Sequence, residues 1–190
     1  LGWKIDYQKL LAYLKDKYGI SRTLYFGGVE IYKFRFDYLN NDTVPLTELE
    51  KYLAGLIKKH GRQLSEAELI LLERHLQRIR FYLKLAEFGY ELHLKPVKLY
   101  KQNDGSAKKK ANCDVDMAFW LMREKDNFNK AVILSGDGDF LPVLKYLKDQ
   151  EKEIIILARG PKTAREIRQF ASSNFRDFTK LETRIKFIER

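Results

Sequence analysis

An α/β fold with three layers and a mostly parallel sheet is what this sequence predicts, and three observations predict it. Ala131-Val132-Ile133-Leu134 is an unbroken apolar run of strand length, a helical pattern follows from Phe140 to Gln150, and Glu153 to Ala158 repeats the apolar run. Such runs fit strands buried on both faces. Two of them joined through a helix must lie parallel, with helices covering the sheet.

The chain has 190 residues, 45% hydrophobic and 13% aromatic. That suffices for a full core without disulfides and reads as a single domain, 1–190, carrying an insertion. Lys and Arg number 36 against 26 Asp and Glu, a formal net charge of +10, which favours an anionic partner such as nucleic acid. The single cysteine, Cys113, rules out a disulfide within this sequence and fits a reducing compartment, so a cytoplasmic location is expected. His60, His75 and His93 are too scattered to read as zinc ligands. No apolar stretch approaches the ~18 residues that span a bilayer, and no secretory signal pattern opens the chain. A protein neither membrane-bound nor exported is expected.

The elements follow in order. Between Ile5 and Tyr18 the residues Leu10, Leu11, Leu14 and Tyr18 recur at helical spacing, and Gly19 stands where a helix stops. Thr23 to Phe26 is β-branched and aromatic and reads as a short buried strand ending at Gly27 and Gly28. Two helical patterns, Glu48 to Lys59 and Ser65 to Glu87, are separated by Gly61 and form a helical insertion at about 40–86. Ser65 and Glu68 have capping-box spacing, and Leu69, Leu72, Leu76, Ile79, Leu83 and Ala86 form an apolar stripe. Glu91 to Pro96 alternates as a strand with one solvated side, which Val97 to Tyr100 can prolong. Gln102 to Ala111, with Asn103, Asp104, Gly105 and the run Lys108-Lys109-Lys110, reads as an exposed loop. Asp114 to Glu124 is helical. After Gly160 and Pro161 a helix is expected over Ala164 to Ala171, with a last strand within Phe175 to Leu181.

The strongest chemical signal is Ser135-Gly136-Asp137-Gly138-Asp139-Phe140, between a buried strand and a helix. In open parallel sheets ligands bind at the carboxyl ends of the strands. The glycines allow a tight turn from which Asp137 and Asp139 both reach the crevice, and oxygen ligands of this kind suit Mg2+ or Mn2+. Two carboxylates so close repel unless something positive lies between them. The plainer alternative is that Asp139 caps the helix beginning at Phe140 while Asp137 occupies a turn. A second pair, Asp114 and Asp116, opens a helix, where an N-cap and a first-turn acid also serve without chemistry. Its neighbourhood argues for more: Lys108, Lys109, Lys110 and Asn112 precede it, as suits a phosphate backbone led toward carboxylates. Cys113 has no evident base and reads as a small buried filler.

Lys109-Lys110-Ala111-Asn112-Cys113-Asp114-Val115-Asp116-Met117-Ala118, followed by Ala131-Val132-Ile133-Leu134-Ser135-Gly136-Asp137-Gly138-Asp139-Phe140, closely resembles the NYN domain of the LabA-like, PIN-like nucleases. Gly89-Tyr90-Glu91-Leu92-His93-Leu94-Lys95-Pro96 resembles the strand before that family's lysine-rich loop. The resemblance covers most of Tyr82 to Leu181 and, more weakly, Ile5 to Gly28. It implies a PIN-like (Rossmannoid) fold whose acidic cluster binds Mg2+ or Mn2+ and hydrolyses RNA. By position, Asp114 matches the acid opening the central helix and Asp137 with Asp139 the pair after the next strand, with Asp116 an adjacent metal ligand. The resemblance also implies a first strand bearing an Asp upstream of Leu1. Phe119 and Trp120 stand where a further helical Asp is common, and Ser172 and Ser173 near another expected acid, with Asp177 a few residues on.

The function expected is metal-dependent endoribonuclease activity, with Asp114, Asp137 and Asp139 catalytic and RNA the partner. Ser135, Arg159, Lys162, Arg165 and Arg168, at strand and helix ends, join the lysines and Asn112 as nucleic-acid contacts; Lys58, Lys59 and Arg62 add to the field. Tyr25, Phe26, Tyr90 and Tyr100 are candidates for base stacking, with a core or strand-face role the stronger reading for each. The alternative is a catalytically inactive RNA-binding or protein-assembly module, using the helical insertion for a homodimer or a protein partner. A glycosyltransferase reading of Asp137-Gly138-Asp139 ranks below both, since the lysine run is then unexplained.

Overall fold

The computed structural model describes residues 1–37, 39–101 and 107–188, without the side chains of 99–101 and 107–110. In chain order the elements are α1 (Tyr7–Tyr18), β1 (Leu24–Val29), α2 (Leu46–His60), α3 (Glu66–Phe88), β2 (Glu91–Pro96), β3 (Lys98–Lys101), β4 (Ala107–Lys110), α4 (Cys113–Arg123), β5 (Lys130–Ile133), α5 (Leu141–Asp149), β6 (Glu153–Ala158), α6 (Arg165–Ala171), β7 (Phe175–Asp177) and α7 (Glu182–Ile185). The architecture is mixed α/β with parallel strands. It divides into two compact units, one of Leu1–Ser21 with Asp114–Arg190 and one of Arg22–Cys113.

The discontinuous unit is built on the parallel sheet β5-β6-β7. Successive side chains of a strand face opposite ways, and β6 is buried over its last five residues. Ile154, Ile156 and Ala158 therefore face a cluster with Leu144 and Leu147 of α5 and Ile167 and Ala171 of α6. Ile155 and Leu157 face another, with Leu10, Tyr13 and Leu14 of α1 and Ile185 of α7. The result is helix, sheet, helix within this unit, the three layers anticipated from the apolar runs. Asp6 caps α1 by accepting from Lys9 N, and Gly19 ends it in the left-handed conformation, where glycine pays no Cβ penalty.

The other unit pairs β1 with β2 in parallel, from Leu24 opposite Glu91 to Val29 opposite Pro96. Thr43 and Val44 cover the far edge of β2 by bonding the N–H and carbonyl of Leu94, which keeps that edge from open pairing. Helices α2 and α3 pack together, and the capping box forms: Ser65 Oγ accepts from Glu68 N while the Glu68 carboxylate accepts from Ser65 N.

Four local expectations change. β1 runs on through Gly27 and Gly28, because a Cβ on Gly28 would lie 2.6 Å from that of Ala111; the glycine serves close packing inside a strand. The apolar stripe of α3 turns at its end, burying Tyr82 and Leu85 and leaving Ala86 exposed, because the Tyr82 hydroxyl reaches in to the Gly28 carbonyl at 2.8 Å. Lys108 to Lys110 lie on a strand, β4, pairing antiparallel with β3; Asn103, Asp104 and Gly105 lie outside the described residues. The last strand stops at Asp177, whose side chain caps a 3₁₀ turn over Phe178–Leu181.

Candidate functional site

The loop after β5 carries the strongest sequence signal, and it is built by close backbone contact. Gly136 accepts the Ala164 N–H through its carbonyl at 2.8 Å, and a Cβ at Gly136 would fall 2.6 Å from Thr163 Oγ1 and 2.9 Å from Thr163 Cα. Thr163 is itself buried and donates its hydroxyl to the Arg159 carbonyl at 2.8 Å. The loops that end β5 and β6 are thereby one packed unit. Between them is a cleft of about 510 Å³ lined by Gly136, Asp137, Gly138, Pro161, Lys162, Thr163 and Ala164.

Asp137 Oδ1 accepts from the Asp139 N–H at 3.0 Å, and the Asp137 N–H donates to Ser135 Oγ at 3.3 Å. Capping is real but falls elsewhere than expected: Asp137 caps a 3₁₀ turn over Gly138–Phe140, and α5 starts at Leu141 with Phe140, not Asp139, at its N-cap position. Both carboxylates are exposed. Ser135, half-buried, holds the loop through its hydroxyl.

Asp114 and Asp116 both fall in the first turn of α4, which begins at Cys113, so Asp114 is within the helix instead of capping it. Residues two apart on a helix do not face each other, and accordingly Asp114 is exposed while Asp116 is half-buried. Among the described residues no group of three or more His, Cys, Asp or Glu is gathered so as to hold a metal ion. The four candidate aspartates stand as a pair in one loop and a pair in one helical turn. Cys113 is half-buried.

Arg159, Lys162, Arg165 and Arg168 are all exposed, on the loop after β6 and along α6. Lys162 shares the cleft with Asp137. In the other unit Asn112 is exposed and its carbonyl accepts from Lys95 Nζ at 3.1 Å; the side chains of Lys108, Lys109, Lys110 and Tyr100 lie outside the described residues. Tyr25 and Phe26 are half-buried and Tyr90 buried, as strand-face and core residues are. His93 stacks on Phe26 with ring centroids 5.0 Å apart.

Two further acids are placed. Asp177 Oδ1 accepts from Thr179 N–H at 2.9 Å, Thr179 Oγ1 at 2.8 Å and Gly160 N–H at 3.4 Å. Burial pushes its carboxyl up, but the Thr179 and Gly160 hydrogen bonds and the Lys180 charge outweigh this and hold it below the ordinary range. Its work is to pin the loop after β6. Glu166 comes up against the acidic loop: its carboxylate takes the space that a Cβ on Gly138 would need. Only the adjacency of β5 and β6 could have signalled this.

The NYN domain family model matches residues 1–182. This chain belongs to the NYN domain family. NYN domains are generally nucleases, which agrees with acidic side chains at the end of a parallel strand. A curated relative is the low amplitude and bright protein LabA of Synechococcus elongatus, 25% identical over 108 residues, which are 56% of this chain and 58% of LabA. The chain thus spans about six-tenths of the length of that relative. A crystal structure of a protein of unknown function from Vibrio parahaemolyticus shows 24% identity and a TM-score of 0.42, over 52% of this chain and 59% of the other. No described helix is long and apolar enough to cross a membrane.

Proposed function

We propose that this NYN domain is a metal-dependent endoribonuclease. The observation that carries the reading is the exposed pair Asp137 and Asp139 in one loop at the carboxyl end of β5, beside a cleft that Lys162 shares. The donor set suits Mg2+ or Mn2+, which are hard cations. Mg2+ in particular keeps several waters and is commonly held by one or two carboxylates together with substrate phosphates, so a pair of aspartates fits it without a third protein ligand. When bound, such a cation supplies charge against the scissile phosphate. Asp137 and Asp139 would hold it, and Asp114, with Asp116 adjacent, is the further acid proposed for catalysis. Arg159, Lys162, Arg165 and Arg168 bind the RNA backbone, while Lys108, Lys109, Lys110 and Asn112 add positive and polar surface in the other unit.

A cytoplasmic setting suits a chain with one cysteine. End-labelled RNA incubated with the full-length protein and Mn2+ tests the reading: cleavage is expected in the wild type and lost in Asp137→Asn and Asp139→Asn. Cleavage undiminished in both variants sinks the site.

A second reading is an RNA-binding or assembly module without catalysis, with α2 and α3 as the place of self-association or a protein partner. It is favoured by the one observation that no three candidate ligands gather among the described residues. It expects RNA binding that is unchanged by EDTA and no turnover with any divalent metal.

A further inference from the structure

We propose that Glu166 is a positioning residue of the nuclease site, acting on a divalent cation at Asp137 and Asp139 through the waters that such an ion retains; the inference rests on the metal-dependent reading above. Glu166 stands in the first turn of α6. That turn is fixed against the acidic loop, because Ala164, which precedes the helix, donates its N–H to the Gly136 carbonyl at 2.8 Å. From there the Glu166 carboxylate reaches across to Gly138 and fills the space that a side chain would take. Gly138 lies between Asp137 and Asp139, and Asp137 Oδ1 already spans it to hold the Asp139 N–H at 3.0 Å. Three carboxylates are thus carried by one pair of locked loops.

A first-turn acid also favours a helix through its dipole, yet that role makes no demand on Gly138 and does not bring the carboxylate to a second acidic loop. Lys162, Arg165 and Arg168 lie close in sequence, but among the described residues Glu166 forms no ion pair or hydrogen bond with them or with any other group. Like charges brought together without a counter-charge repel, so the arrangement is one that a cation relieves. Direct ligation by all three acids is not what the loops offer, since among the described residues no three gather so as to hold a metal ion. Ions of the Mg2+ type keep several waters, and a carboxylate just outside the ligand set orients what the metal binds. Gly138 thereby has its reason: only a residue without a Cβ admits Glu166 to the edge of the aspartate pair.

The test is Mn2+ binding to the full-length protein without RNA, read from the electron paramagnetic resonance of the free ion. The wild type is expected to bind and Asp137→Asn to lose binding. Glu166→Gln, which keeps the shape and removes the charge, should weaken Mn2+ affinity about 10-fold, the low end for outer residues of a metal site, and Glu166→Asp should recover part of the loss. A Cβ at Gly138 meets only the far end of Glu166 and, at 3.4 Å, the methyl of Ala164. Gly138→Ala should therefore displace the carboxylate at little cost to the urea midpoint, weaken Mn2+ as Glu166→Gln does, and add nothing in the double variant. In RNA cleavage Glu166→Gln should raise the Mn2+ concentration for half-maximal rate and leave the KM for RNA unchanged. Additive losses in the double variant overturn the proposal, as does a Glu166→Gln protein whose urea midpoint falls while its Mn2+ affinity holds, the mark of a helix-dipole role. A wild type that binds no Mn2+ removes the metal reading itself and this role with it. Binding lost in Asp137→Asn but intact in Glu166→Gln leaves that reading standing and overturns only the role of Glu166.

Discussion

The backbone N–H of Ala164 donates to the carbonyl of Gly136 at 2.8 Å, so the acidic loop after β5 and the basic loop after β6 are held as one. Nothing larger than glycine fits at position 136, where an added Cβ would overlap both the hydroxyl and the Cα of Thr163. Gly136→Ala should therefore destabilise the protein by about 1–3 kcal/mol, the usual cost of overpacking. Urea unfolding measures this, and an unchanged midpoint would show that the two loops are not locked.

Substitutions at Asp137 separate its two roles. Asparagine keeps an acceptor for the Asp139 N–H and should leave stability within a few tenths of a kcal/mol, whereas alanine removes the cap and should cost about 0.5–2 kcal/mol. Both should lose RNA cleavage if the carboxylate is required. Thermal unfolding alongside the cleavage assay distinguishes a structural effect from a chemical one.

Asp177 links stability to acid. Its carboxyl is depressed by hydrogen bonds and charge that outweigh burial, so its contribution is fully present above the unfolded-state pKa and disappears as pH falls through the lower, folded one. The window lies below about pH 4. Unfolding midpoints measured through the acid range should fall there in the wild type and fall less steeply in Asp177→Asn. Identical acid limbs would show that the carboxylate does not hold Gly160 and Thr179.

The exposed cations after β6 should act through phosphate charge. Alanine at Arg159, Lys162, Arg165 or Arg168 should weaken binding uniformly across sequences and reduce the slope of log affinity against log salt by about 0.7 per lost contact to a single strand. A variant whose affinity falls without a change in slope does not touch phosphate.

How much of this was legible depended on whether the signal was local. The capping box at Ser65 and the buried run of β6 are written in adjacent residues, and each formed as read; in the loop after β5 the cap falls to Asp137 instead of Asp139. Gly27 and Gly28 read as a strand end because glycine punctuates chains locally, while Gly28 answers to the approach of Ala111, far along the sequence, and Gly27 to the side chains of Tyr25, Leu94 and Tyr82. Lys108 to Lys110 read as a solvated loop because pairing with residues 98–101 is invisible to composition. The contact of Glu166 with the Gly138 loop is not legible locally, because only the order of strands brings the two together. Asp114 reads as an N-cap with Asp116 in the first turn, yet α4 begins at Cys113 and takes both into its first turn, where residues two apart do not face each other.

The division of the chain also sets an order of events during synthesis. Residues 22–113 are inserted between Ser21 and Asp114, and α1 finds its core partners only at Ile155, Leu157 and α7. At ribosomal rates of roughly 5–20 residues per second, α1 emerges on the order of ten seconds before them. A lone helix of 12 residues is marginal in water. The inserted unit, contiguous in sequence, can thus complete first, while Leu10 and Leu14 await their partners and offer a nascent apolar stripe to chaperones.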